Sequence, residues 1–209
     1  MGIITYPNGV GGSTGATLAT AKPVALNSGA TTNVWYVDDS GTDGASPAGL
    51  NRLDPLATLN QAHTNLAAGD IVVLLDGHAE TFTESGVNIS KNCTIIGEGS
   101  SSGVPTVTLT PNLASDQLLD ISAAHCELYN IKFAAQAQAA SGVKVDFNAG
   151  TTGVVDGCYF ECGALDDAAN LDIACTYMTI RNTTIISTGT SGALQPAAAL
   201  TATGTVTLL

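Results

Sequence analysis

An all-β chain wound as a right-handed parallel β-helix is the fold the sequence predicts, and two columns of recurring residues predict it. The first is a short phrase repeated three times. Leu119-Asp120-Ile121, Val145-Asp146-Phe147 and Leu171-Asp172-Ile173 each set an Asp between two apolar residues, with the three acids equally spaced along the chain. Val87-Asn88-Ile89 precedes them as a looser copy, and Ala198-Ala199-Leu200 follows. Alternate side chains of an extended strand face opposite ways, so the apolar pairs share one face and the three aspartates the other. The second column runs through Cys93-x-Ile95, Cys126-x-Leu128, Gly153-x-Val155, Met178-x-Ile180 and Gly204-x-Val206. Its anchors Ile95, Leu128, Val155, Ile180 and Val206 keep nearly the same interval, with only the first step longer. Three of them lead to a bend at Asn130, Gly157 or Asn182 and then to Phe133, Phe160 or Ile185. Asn and Gly suit such bends because they tolerate left-handed backbone angles. A repeat of about 26 residues that holds several short strands signals a solenoid. A β-sandwich would have to produce both columns in register by accident.

The elements follow in order. Residues 1–33 read as an extended N-terminal arm, rich in Gly, Thr, Ala and Ser, with Pro7 and Pro23 and no sustained periodicity. Such a segment cannot build its own core. Its scattered apolar side chains, Ile3 to Leu26, are expected to order against a partner. The β-helix domain spans 34–209 and opens on the strand Val34-Trp35-Tyr36-Val37. Asp38 to Gly44 reads as a tight acidic turn, because Asp38, Asp39 and Asp43 lack the spacing and terminal Glu of a calcium-binding EF-hand loop. A capping helix is expected near 55–67, with Asp54 as N-cap and Pro55 at the first helical position. Leu56, Leu59, His63 and Leu66 mark its buried stripe. Placed there, the helix covers the open end of the solenoid, where bare strand edges invite aggregation. Ile71 to Leu75 form a continuous apolar run, the mark of a strand buried on both faces. Gly77-His78-Ala79-Glu80-Thr81 turns the chain into the coils. Val206-Thr207-Leu208-Leu209 closes the sequence in mid-strand, and another subunit, another protein or further residues are expected to cover that coil.

The bulk numbers exclude several functions. Six basic against eighteen acidic residues give a net charge of −12, which disfavours nucleic acid and anionic membrane surfaces as partners. No run reaches the ~18 apolar residues of a transmembrane helix. The first residues lack the basic region and apolar core of a signal peptide, so synthesis in a cytoplasm is expected. Of the five cysteines, Cys158 and Cys162 alone approach a metal-ligand spacing, and they lack a second half-site. Cys93 and Cys126 share a column and are expected as reduced core thiols.

No catalytic, cofactor-binding or metal set rises above background. The coils offer Lys91, Lys132, Lys144 and Arg181 as bases, with Tyr129, Asp156 and Arg181 in one outward column of successive coils. A base beside a carboxylate is the minimum a lyase or hydrolase needs, but a surface ion pair is the commoner cause of such a pair. Glycosidases need two carboxylates about 5–10 Å apart, a separation the Asp120–Asp146–Asp172 column supplies. Like charges in a row repel and raise at least one pKa, so a solvated acidic stripe, or residues facing another subunit's donors, is expected over a catalytic or calcium role. His78 and Glu80 are expected to serve structure rather than acid–base chemistry.

WYVDDSGTDG, the segment DPLATLNQAHTNLAAGD, and GDIVVLLDGHAETFTE followed by CTIIGEGSSSGVPTVTL resemble a family of pectate-lyase-like β-helix proteins encoded among tailed-phage structural genes. The resemblance covers residues 34–110 by motif and the later coils by pattern. It implies a virion protein, a capsid decoration, turret or fibre component or part of a tail spike, assembled as a homotrimer. With no catalytic set and no signal peptide, the protein is expected to be non-enzymatic and made in the host cytoplasm. Its partners would be the major capsid protein or other virion proteins. The alternative it leaves is a tail spike that binds or degrades host surface polysaccharide. Fold alone does not carry function.

Overall fold

A computed structural model describes residues 32–44, 48–83, 85–112, 117–135, 144–162, 171–187, 200–202 and 205–209; of the arm expected over 1–33, residues 1–31 lie outside them. The chain forms a parallel β-solenoid with coils about 27 residues apart. It begins with β1 (Val34–Val37) and α1 (Leu59–Asn65). The first coil is β2 (Asp70–Leu74), β3 (Ala79–Phe82) and β4 (Val87–Ile89). The second runs β5 (Cys93–Gly97), a small antiparallel hairpin of β6 (Ser100–Ser101) and β7 (Val104–Pro105), β8 (Thr108–Pro111) and β9 (Leu119–Ile121). Then come β10 (His125–Tyr129), β11 (Lys132–Phe133) and β12 (Val145–Phe147), followed by β13 (Thr152–Asp156), β14 (Tyr159–Cys162) and β15 (Leu171–Ile173). The last coil is β16 (Tyr177–Arg181), β17 (Thr184–Ser187) and β18 (Leu200–Ala202), and β19 (Thr205–Leu208) starts another turn.

Stacking these coils makes three parallel sheets. The first holds β1-β2-β5-β10-β13-β16-β19, the second β3-β8-β11-β14-β17, the third β4-β9-β12-β15-β18. The backbone of an inner coil is paired with the coil before and the coil after. That is why so short a strand as Lys132–Phe133 persists between Thr108–Leu109 and Tyr159–Phe160. The expected columns are present. Val145, Asp146 and Phe147 pair with Leu119, Asp120 and Ile121 on one side and Leu171, Asp172 and Ile173 on the other. Cys126 and Leu128 pair with Cys93 and Ile95, and with Gly153 and Val155. Ile121, Leu128, Val145, Val155, Leu171 and Ile173 are fully buried. Phe133 and Phe160 stack with ring centroids 4.7 Å apart, a geometry that adds about 0.5–1.5 kcal/mol to their burial.

At the corner between the first and second sheets the second coil inserts the β6–β7 hairpin, between Gly97 and Thr108. In the last three coils this corner has one length: Tyr129 to Lys132, Asp156 to Tyr159, Arg181 to Thr184. Its pivot is Asn130, Gly157 or Asn182, each at positive φ (54°, 66° and 49°). Asn130 also donates from Nδ2 to the carbonyls of Gly97 and Gly99 in the coil before, at 2.7 and 2.8 Å, so the bend itself is laddered. The corner between the second and third sheets varies in length from coil to coil. Val87 follows closely on Phe82, whereas Val145 lies well beyond Phe133 and Leu200 well beyond Ser187.

Two expectations are corrected. The helix starts at Leu59 with Thr58 as its N-cap, the Thr58 hydroxyl accepting from Gln61 N. Asp54 and Pro55 do not start it. Leu56 is drawn into a parallel bridge with Val37, donating to Tyr36 O while its carbonyl accepts from Asp38 N, and this holds the chain extended past Pro55. The last coil is also shifted by two positions. Val206 and Leu208, not Gly204 and Val206, pair with Met178 and Ile180, and Leu200-Thr201-Ala202, not Ala198-Ala199-Leu200, pairs with Leu171-Asp172-Ile173. Ala198, Ala199 and Gly204 lie outside the described residues.

Asp70 ties the first strands together. Its carboxylate is buried and accepts from Asn33 N (2.9 Å), Trp35 Nε1 (2.9 Å) and Ala67 N (2.8 Å). Asn33 therefore joins the solenoid rather than the arm.

Candidate functional site

The outward face of the first sheet carries a connected grouping of polar side chains. Alternation along β10 turns Cys126 and Leu128 inward and His125, Glu127 and Tyr129 outward. In register beside them stand Thr152, Val154 and Asp156 of β13, then Tyr177, Thr179 and Arg181 of β16. Neighbouring columns are roughly 4.8 Å apart by sheet spacing, so three strands present a rectangle of outward residues, three from each. The sequence brings Tyr129, Asp156 and Arg181 into one column, and the structure places them there. His125 and Glu127 escaped the sequence reading. Counting back by two from Tyr129 would have found them.

The geometry decides what this face can do. Glu127 accepts from Tyr129 OH (3.0 Å) and lies 3.1 Å from His125 Nε2, while His125 Nδ1 lies 2.8 Å from Thr152 Oγ1. Burial pushes the Glu127 carboxyl up, but the bonds from His125 and Tyr129 outweigh it and leave it below the ordinary value. Burial, aided by the Glu127 charge, raises the Tyr129 phenol and keeps it protonated. Arg181 Nε donates to Asp156 Oδ2 at 2.8 Å, and Asn182 Nδ2 to Asp156 Oδ1 at 2.9 Å. The patch is held by two sets of hydrogen bonds, Thr152–His125–Glu127–Tyr129 and Arg181–Asp156–Asn182. Tyr177, 63% exposed, is its one open aromatic surface among the described residues.

The other candidate bases are likewise engaged. Lys91 donates to the carbonyls of His63, Thr64 and Leu66 at the end of α1. Lys132 pairs with Glu161 at 2.8 Å, and buried Lys144 donates to the Glu161 carbonyl at 2.7 Å. Arg52, in the loop before α1, grips the nearly buried Glu98 carboxylate with both terminal nitrogens.

The aspartate column lies outward on the third sheet. Asp120 is held by the side-chain amides of Asn88 and Asn148. Asp146, between the other two, receives a 3.5 Å contact from Gln117 Nε2. Burial first, then the charges of Asp172 and Asp120, raise the Asp146 carboxyl above its ordinary value. Like charges directly opposite on a sheet cost about 0.2–1 kcal/mol per pair, and Asp146 takes part in two. Asp146→Asn is therefore expected to raise the melting temperature at pH 7 by a few degrees. A group whose pKa is raised by folding stabilises the protein while protonated and loses that contribution as pH rises through the folded value. The gain should accordingly shrink towards pH 3, and an equal gain at both pH values in paired thermal melts would contradict the ladder's repulsion.

The acidic turn serves the cap. Asp43 Oδ1 accepts from Ala57 N (2.8 Å) and Thr58 N (3.0 Å), and Asp38 from Ser40. His78 is fully buried with Nε2 3.3 Å from Glu80 Oε2, and the same oxygen accepts from Leu59 N at 3.0 Å. Cys93, Cys126, Cys158 and Cys175 are free, buried thiols. A hydrogen bond with the Cys93 thiol raises Cys126, with burial adding to it, and burial pushes Cys158 up to about 12. Thiols so raised are poor nucleophiles. Among the described residues no three His, Cys, Asp or Glu side chains converge to hold a metal ion, and no helix is long and apolar enough to cross a membrane. Compared with known proteins, the chain matches no family model, no curated protein and no solved structure.

Proposed function

We propose that this protein is a non-enzymatic structural component of a tailed-phage particle, a decoration or head-associated β-helix that projects from the capsid as a homotrimer. The observation that carries the reading is that the candidate bases of its coils are engaged by neighbouring groups. A proton-abstracting base must face substrate with a free lone pair. Here Arg181, Lys132, Lys91 and Glu127 are all turned to neighbours in the same stack. Such bonding stiffens a rod. The resemblance of residues 34–110 to phage β-helix proteins directs the reading to virions, with the major capsid protein as partner and the arm as attachment.

Quantitative mass spectrometry of gradient-purified particles tests it: many copies per particle are expected, and absence from particles overturns it. A truncation that spares the Asn33–Asp70 bond removes residues 1–31. It is expected to keep the strand signal in circular dichroism and to lose binding to particles lacking this protein. Full binding by the truncated chain would move attachment onto the coils.

A second reading, a spike that binds host polysaccharide, is favoured by one feature. The exposed Tyr177 ring stands between Thr152 and Thr205, with His125 beyond, a flat apolar surface beside hydroxyl and imidazole groups. Bound oligosaccharide that shifts the Tyr177 ring resonances would support it.

A further inference from the structure

We propose that α1 is a pH-releasable lid on the N-terminal end of the stack, with His63 as its sensor. The helix meets the outermost strand of all three sheets. It packs against β1 and β4, and its Leu59 N donates to Glu80 on β3. Leu59, Ala62 and Leu66 are buried beneath it, so lifting it uncovers the end of the core. Polar bonds clamp it at both ends. Asp43 and Glu80 hold its first turn. At the other end Lys91 takes three helix carbonyls, and Ser90 N donates to His63 Nε2 at 3.2 Å.

That last bond requires a neutral imidazole with its proton on Nδ1. Protonation turns Nε2 into a donor, so two N–H groups then face each other within hydrogen-bond distance, with the Lys91 ammonium beside them. A cation near a helix C-terminus is ordinarily favoured by the helix dipole, but Lys91 already occupies these carbonyls. Of the strands under the helix, β1 carries Tyr36, which alternation turns outward, and β4 carries no titratable side chain. The charge that acts on His63 is Lys91. His78, Glu80 and Asp38 lie at the opposite end of the lid, where buried His78 Nδ1 has no hydrogen-bond partner among the described residues. Burial, then Lys91, lower the His63 pKa. A histidine depressed by folding contributes stability above its unfolded value, about 6.5, and loses it as pH falls. The lid therefore loosens below about pH 6.5.

Hydrogen–deuterium exchange on the full chain, corrected for intrinsic rates, reads this directly. Amides of residues 59–66 are expected to lose about two- to tenfold protection between pH 7.5 and 5.5, the range a single hydrogen bond supports. Those of 125–129 should stay unchanged. His63→Gln retains an acceptor for Ser90 N and does not titrate, so its lid should show no pH dependence. Wild-type protection that is flat with pH, or a His63→Gln variant that titrates like wild type, overturns the proposal. Should the variant fold poorly, imidazole NMR titration of the wild-type chain decides: a His63 midpoint at or above about 6.5 overturns it.

Discussion

Replacing Ile173 by Asp is expected to unfold the later coils at room temperature. Ile173 is fully buried and lies in register between Phe147 and Ala202. The substitution forfeits about 1.5–3 kcal/mol of apolar burial. It also sets a carboxylate where the inward column offers no charged partner, at several kcal/mol more. Domains have only about 5–15 kcal/mol in hand. In a solenoid each coil contacts only its neighbours, so the loss should spread along the stack. Circular dichroism and size exclusion should show lost strand signal and aggregation. Ile173→Val, the matched control, should cost only about 0.5–1.5 kcal/mol. An Asp variant that melts within a few degrees of wild type would show that the inward assignment of this column is wrong.

Asp70→Ala is expected to have the next largest effect, about 2–5 kcal/mol, because three donors lose their acceptor at once. Asn33 N and Trp35 Nε1 belong to the first strand and its approach, and Ala67 N to the segment leaving the helix. Burial raises the Asp70 carboxyl, but the bonds from Ala67, Trp35 and Asn33 outweigh it and leave it below the ordinary value. Its contribution is therefore complete above about pH 4, the unfolded carboxylate value, and is lost as pH falls through the lower folded value. The stability gap between wild type and variant, read from urea melts, should be widest near neutrality and close in acid. A gap that holds constant to pH 2 would show that the charge of Asp70 contributes nothing.

Periodicity made most of the fold legible. An Asp between two apolar residues, repeated at an even interval, leaves few ways to bury Leu119, Val145 and Leu171 other than stacking them. It failed where two answers share a period. Slipping the last coil by two positions keeps every side chain on its face, so Val206 suits Ile180 and Met178 equally by pattern, and only the backbone pairs it with Met178. The helix start was misread for a different reason. Asp54-Pro55 and Thr58 are both good local signals, and the choice is made by the distant Val37, which holds Leu56 in a bridge. In the outward patch, the column of Tyr129, Asp156 and Arg181 came from the sequence, while the His125–Glu127–Tyr129 bonds needed side-chain positions. Asp43 as an anchor for the helix start was hidden because it reaches across a loop to Ala57 and Thr58.

The two unequal corners give the molecule a division of labour for change over time. Where Asn130, Gly157 and Asn182 pivot, the spacing between strands is the same in three successive coils. The larger insertion at that corner, between Gly97 and Thr108, is itself folded as the β6–β7 hairpin and leaves β8 in register with its neighbours. Between the second and third sheets the chain already spans very different lengths, from Phe82 to Val87 in one coil and from Ser187 to Leu200 in another, with the ladders on either side still aligned. That flank is where the chain varies most often from coil to coil, and so where inherited insertions can accumulate most readily. It is also where an engineer would splice a foreign epitope, gaining a row of display points spaced by the rise of the coil.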